Sequence, residues 1–227
     1  GLVTPLSYQE NAPPIRLFDG ANVSDPNSAD FDGGSLTASL VSGATGNDRL
    51  GVEPGNGIQI ANGTVYYNDA GTLVPIGTLS LSDWVVTVQF TSAGANQVSA
   101  GALVSAITYR NLSEAPFSRQ RTVSLSLTDG DQGNDTGSIT QTISVQPIND
   151  RPVAQGEAYE VFTGRTLAVD SLEGALANDA DAEGDPITAH LETPAQNGTL
   201  TLDLDGSFTY EPDDLFFGTD SFAYRVH

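Results

Sequence analysis

The sequence feature that most constrains the fold is the alternation of apolar and polar residues in short runs, clearest in RTVSLSLTDGDQGNDTGSITQTISV. An apolar residue at every second position gives an extended strand one apolar face, because side chains alternate across a strand. The two halves of this run flank an acidic, Gly-rich segment typical of a turn. We expect two neighbouring strands with facing apolar sets, Val123, Leu125 and Leu127 on one and Ile139, Ile143 and Val145 on the other.

Shorter runs along the chain repeat this character, among them IGTLSL, WVVTVQF, SFTYEP and DSFAYRV. Many short strands separated by turns rich in Asp, Asn and Gly predict an all-β sandwich fold. One segment differs, since Leu103, Val104 and Ile107 in SAGALVSAI lie at helical spacing. Residues 99–107 therefore form either a short helix or a buried turn that leads into a strand.

The stretch QPINDRPV joins two dissimilar lengths of sequence and predicts a domain boundary. It is short and Pro-containing, unlike a flexible linker rich in Gly and Ser. We predict one β-sandwich domain over residues 1–150 and a second, shorter one over 151–227. Because the second ends on the strand FAYRVH, we expect its last strand to be missing or to come from the next repeat.

The charge balance excludes some partners and favours others. The chain of 227 residues carries 29 acidic residues against 8 basic ones, and its formal net charge is -21. All the basic residues are Arg. Nucleic acids and anionic membrane surfaces need clustered cations, so neither is expected as a partner. Hard divalent cations are favoured, because they bind acidic oxygen clusters.

Cysteine and methionine are both absent. Disulfide bonds, thiolate metal sites and a Cys nucleophile are therefore excluded. Without an initiator Met, we expect the chain to be a piece of a longer protein. No apolar run approaches the length of a membrane span, and no signal peptide is visible, so targeting signals would lie outside this segment.

The acidic residues concentrate in a few short segments. SDPNSADFDGG and TDGDQGND lie in the first predicted domain, the Asn-Asp pair lies in the linker, and NDADAEGD lies in the second domain. Calcium takes six to eight oxygen ligands, and acids at alternate loop positions can converge on one ion. Asp and Asn are also common in ordinary turns, which explains any single cluster equally well. Several dense clusters in a chain without Lys favour a counter-cation.

Two sets of motifs carry a resemblance that covers nearly the whole chain. The first is YQENAPPIRLFDGANVSDPNSADFDGGSLTASL with VQPINDRPV, and the second, more specific, combines LANDADAEGDPIT, NGTL, DGSFTYEP and FFGTDSFAYRV. Through them the chain resembles the cadherin-like tandem repeats of large bacterial surface and secreted adhesins. The resemblance implies two tandem Ig/cadherin-like Greek-key β-sandwich domains, the first with a short helical insertion.

The resemblance also implies Ca²⁺ bound between successive domains, one or two ions at this linker. By position, the first domain and the linker would supply Glu10, Glu114, Asn149 and Asp150. The second domain would supply Asp179, Asp181 and Asp185, with Glu157 as a further candidate. Toward a preceding repeat, the first domain would present Asp25, Asp32 and Asp129, which Asp30 and Asp131 could join.

The implied function is structural: a calcium-stiffened, secreted or cell-surface segment of an adhesin, with neighbouring repeats as partners and a cell-surface glycan or protein as a possible target. The alternative is a carbohydrate- or protein-binding module that uses Trp84, Tyr66 or Tyr67, and one of the adjacent tyrosines should be exposed. A third option is an accessory domain of an enzyme.

Enzymatic activity of the chain itself is not expected. The motifs HExxH, GxSxG and GxxxxGK[ST] do not occur, and the absence of Lys excludes Schiff-base chemistry. Glycoside hydrolysis by paired carboxylates stays open because acids are abundant. His190, in ITAHLET, is expected on a strand as a surface or packed residue and not as a ligand.

Overall fold

A computed structural model describes residues 4–131 and 135–227. The chain divides into two compact units, unit 1 over Gly1–Ile148 and unit 2 over Asn149–His227. The predicted all-β class is confirmed, with several sheets in a sandwich-like arrangement and one helix among the described residues.

Unit 1 consists of short strands with a helix inserted before β9. The elements are β1 Leu6–Gln9, β2 Ile15–Arg16, β3 Ser35–Ser42, β4 Asp48–Val52, β5 Ile58–Ala61, β6 Thr64–Asp69, β7 Thr72–Leu81, β8 Val85–Phe90, α1 Gln97–Ala106, β9 Ile107–Asn111, β10 Gln120–Thr128 and β11 Thr136–Gln146. The larger sheet has the order β1-β11-β10-β3-β8-β7-β6-β5, and the smaller has the order β2-β9-β4. Pairing is antiparallel except between β1 and β11, which run parallel.

The strands β10 and β11 form the predicted pair. Leu125 lies opposite Ile139, and Val123, Leu125, Ile143 and Val145 are all buried. The expectation fails at Ile139, which is 43% exposed. This residue lies outside the four-residue stretch of β11, Ile143–Gln146, that pairs with β1.

The helix α1 confirms the helical interpretation of the segment and starts two residues earlier than predicted. Asn96 caps it, because its side-chain oxygen accepts hydrogen bonds from the amides of Val98 and Ser99. Leu103 is fully buried and Val104 nearly so, which fixes the helix to the core of unit 1. At Ile107 the backbone turns extended and β9 begins without a loop.

A buried polar cluster connects three strands of unit 1 around Asp48, at the start of β4. The carboxylate accepts hydrogen bonds from the Tyr109 hydroxyl at 2.5 Å and the Asn111 amide at 2.6 Å. It also pairs with Arg121 at 3.3 Å, and both side chains are completely buried. Burial alone would raise the pKa of Asp48, but these donors, the Thr45 amide and the Arg121 charge lower it. Asp48 therefore stays ionised inside the unit.

Unit 2 is smaller and has two short sheets. Its strands are β12 Leu167–Val169, β13 Ala189–Thr193, β14 Gly198–Leu202, β15 Phe208–Pro212 and β16 Ala223–Val226. One sheet has the order β12-β15-β14, and the other pairs β13 with β16. Phe208 is buried between the rings of Tyr159 and Phe222, whose centroids lie 4.9 Å and 5.5 Å away.

Asp220 fixes the segment that leads into β16. Its carboxylate accepts hydrogen bonds from the amides of Asn197 at 2.7 Å and Gln196 at 3.1 Å, and from the Tyr210 hydroxyl at 2.9 Å. Burial alone would raise the pKa of Asp220, but these bonds and the Ser221 amide lower it to about 2. The native unit thus favours the ionised carboxylate.

We expect Asp220→Asn to lower the free energy of unfolding of unit 2 at neutral pH and to change it little in strong acid. The native pKa is below the ordinary value, so the stabilisation is present above about pH 4 and is lost as the pH falls toward about 2. Urea unfolding at a series of pH values measures the difference. The control is Asp214→Asn, because Asp214 is exposed. If the loss of unfolding free energy in Asp220→Asn stayed the same in acid, the result would contradict this account.

Candidate calcium-binding carboxylates

Glu10 lies at one edge of unit 1, directly after β1. Because β1 and β11 run parallel, their carboxyl ends meet at the same edge, and the Glu10 amide donates to the Gln146 carbonyl at 2.9 Å. The Glu10 side chain is only 3% exposed, and its Oε2 accepts a hydrogen bond from the Ile148 amide at 2.7 Å. The last residue of unit 1 is thereby held by a buried carboxylate.

Glu114 reaches the same edge from the segment after β9. The Asn11 side-chain amide donates to Glu114 Oε2 at 3.1 Å, and Asn11 adopts a positive φ of 59° in the turn after β1. A carboxylate oxygen of Glu10 lies within 4.8 Å of one of Glu114. Calcium binds oxygens at about 2.3–2.6 Å, so two ligands of one ion lie at most about 5 Å apart. The pair therefore fits a shared calcium ion.

In unit 2 Asp150 and Val153 of the linker lie along the acidic loop of residues 178–185. The Asp150 amide donates to Glu183 Oε2 at 3.2 Å, and the backbones of Val153 and Ala180 exchange two hydrogen bonds. The Gln155 amide donates to Asp179 Oδ1 at 2.7 Å. Asp150 and Val153 of the predicted linker are thus built into unit 2 through the acidic loop.

The loop itself is a tight turn organised by Asp181. Its Oδ1 accepts hydrogen bonds from the amides of Glu183 at 3.0 Å and Asp185 at 3.1 Å, and Gly184 supplies a positive φ of 77°. This turn directs the Glu183 carboxylate at the Asp150 amide. Asp150 Oδ2 and Glu183 Oε1 are shielded from solvent and have no hydrogen-bond partner within the described chain.

Unpartnered carboxylate oxygens are costly when they are shielded, because the charge loses its hydration. Asp150 and Glu183 are neighbours, since the Glu183 carboxylate accepts a hydrogen bond from the Asp150 amide. A divalent cation would relieve the cost of the unpartnered oxygens, and an all-oxygen donor set is what calcium requires. Asp150 and Glu183 are therefore candidate calcium ligands.

Asp179 is engaged differently from the rest of its loop. The Tyr224 hydroxyl lies 3.0 Å from Asp179 Oδ2, 3.3 Å from Glu157 Oε2 and 2.5 Å from the Ala175 carbonyl. Burial, followed by the nearby Asp179 charge, raises the pKa of Glu157. The structure thus places Glu157, the further candidate from the sequence, beside Asp179.

The acids expected to face a preceding repeat lie in two neighbouring loops of unit 1. Gly130 lies so close to Asp32 and Gly33 that a side chain there would collide with their backbones. Asp129 is 2% exposed, and its Oδ2 has no hydrogen-bond partner within the described part of the chain.

Asp25 and Asp30 organise their own loop. Asp25 Oδ1 accepts hydrogen bonds from the amides of Asn27 at 3.1 Å and Ser28 at 3.2 Å, and Asp30 Oδ1 accepts one from the Asp32 amide at 3.0 Å. Asp131 donates its amide to Asp129 Oδ1 at 3.1 Å.

The aromatic candidates are all partly covered by the rest of unit 1. Trp84 is 42% exposed, and its indole N–H donates to the Thr45 carbonyl at 3.1 Å. Tyr66 and Tyr67 are both half-buried, so the expectation that one is exposed is wrong. Tyr67 packs against the core and lies over Gly57, and Tyr66 on the opposite face is also partly covered.

Sequence reasoning placed Glu183 in an acidic cluster but did not name it among the ligands. The contact of Glu183 with the Asp150 amide depends on the turn centred on Asp181, which brings the Glu183 side chain to Asp150. The only signal in the sequence was its position two residues after Asp181 in NDADAEGD.

No helix among residues 4–131 and 135–227 combines the length and apolar character needed to cross a membrane. No curated protein matches the chain. Among solved structures, a crystal structure of murine CEACAM1b aligns over 94% of this chain and 84% of its own, with 9% identity and a TM-score of 0.18. A likeness that weak carries no argument about fold or function. Residues 149–227 match the family model of the bacterial cadherin-like domain, so unit 2 is similar to domains of that family.

Proposed function

We propose that this chain is a calcium-stiffened segment of an extracellular bacterial repeat protein, in which it acts as a structural stalk or cell-adhesion module. Three observations support the proposal: two β-sandwich-like units in tandem, acidic sets at their edges, and the match of residues 149–227 to a bacterial cadherin-like domain. Cadherin-like domains are adhesion-type modules and are typically not enzymes.

The observation that carries the proposal is that carboxylates accept hydrogen bonds from the backbone amides of the linker. The amide of Ile148 is held by Glu10 of unit 1, and the amide of Asp150 is held by Glu183 of unit 2. Only Asn149 separates the two, so the chain itself keeps these carboxylates near the linker. Asp150 Oδ2 and Glu183 Oε1 remain without a partner in the described chain, as ligands of an added cation would.

The acidic residues near the linker would act as ligands of the calcium ion. Calcium supplies positive charge and a coordination shell of six to eight oxygens. The candidates for that shell are Glu10, Glu114, Asn149, Asp150, Glu183, Asp179, Asp181 and Asp185. Bound at the linker, the ion would neutralise repulsion among these carboxylates and limit rotation about the linker. A stiff linker lets a chain of repeats project a distant binding domain from the cell surface.

Unit 1 has a second set of acidic residues, in the loops that carry Asp32 and Asp129. Asp129 is buried with an unpartnered oxygen, and its loop touches the loop that carries Asp32. Together with Asp25 these acids would hold calcium toward a preceding repeat, so the segment would be one link in a series.

Calorimetric titration tests the linker site. We expect saturable calcium binding that Asp150→Ala weakens at least about tenfold, because Asp150 is the candidate ligand nearest the linker backbone. At calcium concentrations 100 times the dissociation constant, binding would stabilise the native state by about 2.7 kcal/mol. Small-angle scattering with and without chelator should show a narrower range of shapes in calcium.

The matched control is Asp69→Ala, which removes an exposed carboxylate at the end of β6, outside every acidic cluster. It should leave the titration unchanged. Absence of calcium binding by the native chain, or equal affinity in the native chain and Asp150→Ala, would end the proposal. Scattering unaffected by chelator would refute the stiffening role even if calcium binds.

A further inference from the structure

The two histidines of the chain come together on an exposed face of unit 2. The rings of His190 and His227 have centroids 5.0 Å apart and planes at 86° to each other. Both side chains are exposed to solvent. This pair lies outside the acidic sets described above and presents nitrogen in place of oxygen.

The pairing of β13 with β16 explains why the rings meet. His190 lies opposite Arg225 in the antiparallel register, and the His227 backbone exchanges hydrogen bonds of 2.8 Å and 3.0 Å with Thr188. Residues two apart on a strand share a face, so His190 and His227 are diagonal neighbours across the two strands. The backbone ladder therefore fixes the separation of the two side chains.

We propose that His190 and His227 form a binding site for a borderline divalent transition metal ion, such as Zn²⁺, Ni²⁺ or Cu²⁺. Imidazole nitrogen is a preferred ligand of these ions, whereas calcium takes oxygen. With a metal–nitrogen distance of about 2.1 Å, two rings bound to one ion at a tetrahedral angle have centres about 5 Å apart. The observed separation of 5.0 Å matches that requirement.

The surroundings of the pair are suited to an ion. His190 Nε2 lies 3.2 Å from Thr188 Oγ1, so this nitrogen is directed toward the residue that pairs with His227. Because both rings are exposed, each can turn about its side-chain bonds to present a nitrogen. The positive charge nearest by register, Arg225, is ion-paired with Glu192, which reduces repulsion of a cation. Water would complete the coordination.

Titration with Cu²⁺ tests the site, since copper binds such ligands most tightly among these ions. The full chain is first saturated with Ca²⁺ so that oxygen sites are occupied. We expect one Cu²⁺ bound per chain with an affinity that falls at least about tenfold in either His190→Ala or His227→Ala. In proton NMR, the imidazole signals of both histidines should broaden together at low copper.

Glu211→Gln is the control, and it should retain the one-to-one copper binding because Glu211 is exposed on β15, outside the sheet that carries the two rings. Thermal unfolding of each variant checks that unit 2 stays folded. Two independent copper ions per chain, one lost with each histidine, would overturn the proposal. So would binding that survives both His→Ala variants. Neither result depends on calcium at the linker.

Discussion

Replacing Arg121 with methionine is expected to lower the free energy of unfolding of unit 1 by about 3–5 kcal/mol. The guanidinium pairs with Asp48 at 3.3 Å, and both side chains are completely buried. Without it, the Asp48 carboxylate stays buried beside Tyr109 and Asn111 but loses its counter-charge. Urea unfolding followed by fluorescence measures the effect on unit 1 alone, because Trp84 is the single Trp of the chain.

Arg119→Met provides the matched control, since Arg119 is exposed two residues earlier on the same segment. It should change the free energy of unfolding by less than about 0.5 kcal/mol. In the double variant with Asp48→Asn, the loss should be smaller than the sum of the two single losses, because the residues are directly coupled. A loss below about 1 kcal/mol in Arg121→Met would show that the ion pair does not stabilise unit 1.

The second large effect is expected from Leu103→Ala in α1, which should cost unit 1 about 2–5 kcal/mol. Leu103 is completely buried, so its truncation leaves a cavity beneath the helix. Val98 on the same helix is 65% exposed, and Val98→Ala should cost less than about 0.5 kcal/mol. The same urea experiment measures both variants.

Comparable losses in Leu103→Ala and Val98→Ala would contradict this packing of α1. They would indicate that both substitutions act through the unfolded chain, because Ala has the highest helix propensity and its introduction cannot weaken the helix itself. Near-ultraviolet circular dichroism separates these cases, because a cavity alters aromatic packing in the native state while an effect on the unfolded chain does not.

The strands could be predicted because their signal is local. Val123 and Leu125 alternate with Ser residues, and the structure pairs and buries them as that alternation requires. A helix was one of the two structures predicted from the spacing of Leu103, Val104 and Ile107, and the cap at Asn96 sets its actual start. The exposure of Ile139 could not be predicted, because the alternation gives it the same face as Ile143 and Val145 and does not show where the packing against that face ends.

The Asp48 cluster could not be predicted for a related reason. Asp48 stands in the polar sequence GNDRL and resembles a surface turn residue, and Arg121 begins an alternating strand. Their contact joins residues 73 positions apart. Only the folded arrangement of β4, β9 and β10 shows that the two charges are buried together.

The acidic sets could be predicted in part from the sequence. The sequence pattern named Glu10, Glu114 and Asp150, and within unit 1 the structure brings Glu10 and Glu114 carboxylates together. The sequence pattern could not show how the Glu10 carboxylate is placed. Glu10 reaches Ile148 only because β1 lies beside β11. Glu183 was missed because its contact depends on a turn geometry that composition does not encode.

The parallel alignment of β1 with β11 has a mechanical consequence. The strands carry the two ends of unit 1, and their register runs from Leu6 beside Ile143 to Gln9 beside Gln146. Tension applied through the chain ends pulls these strands in opposite directions along their common axis. The interstrand hydrogen bonds are then loaded in shear, all at once, and must break together. A unit built this way resists extension far better than one whose terminal strands could be peeled apart bond by bond.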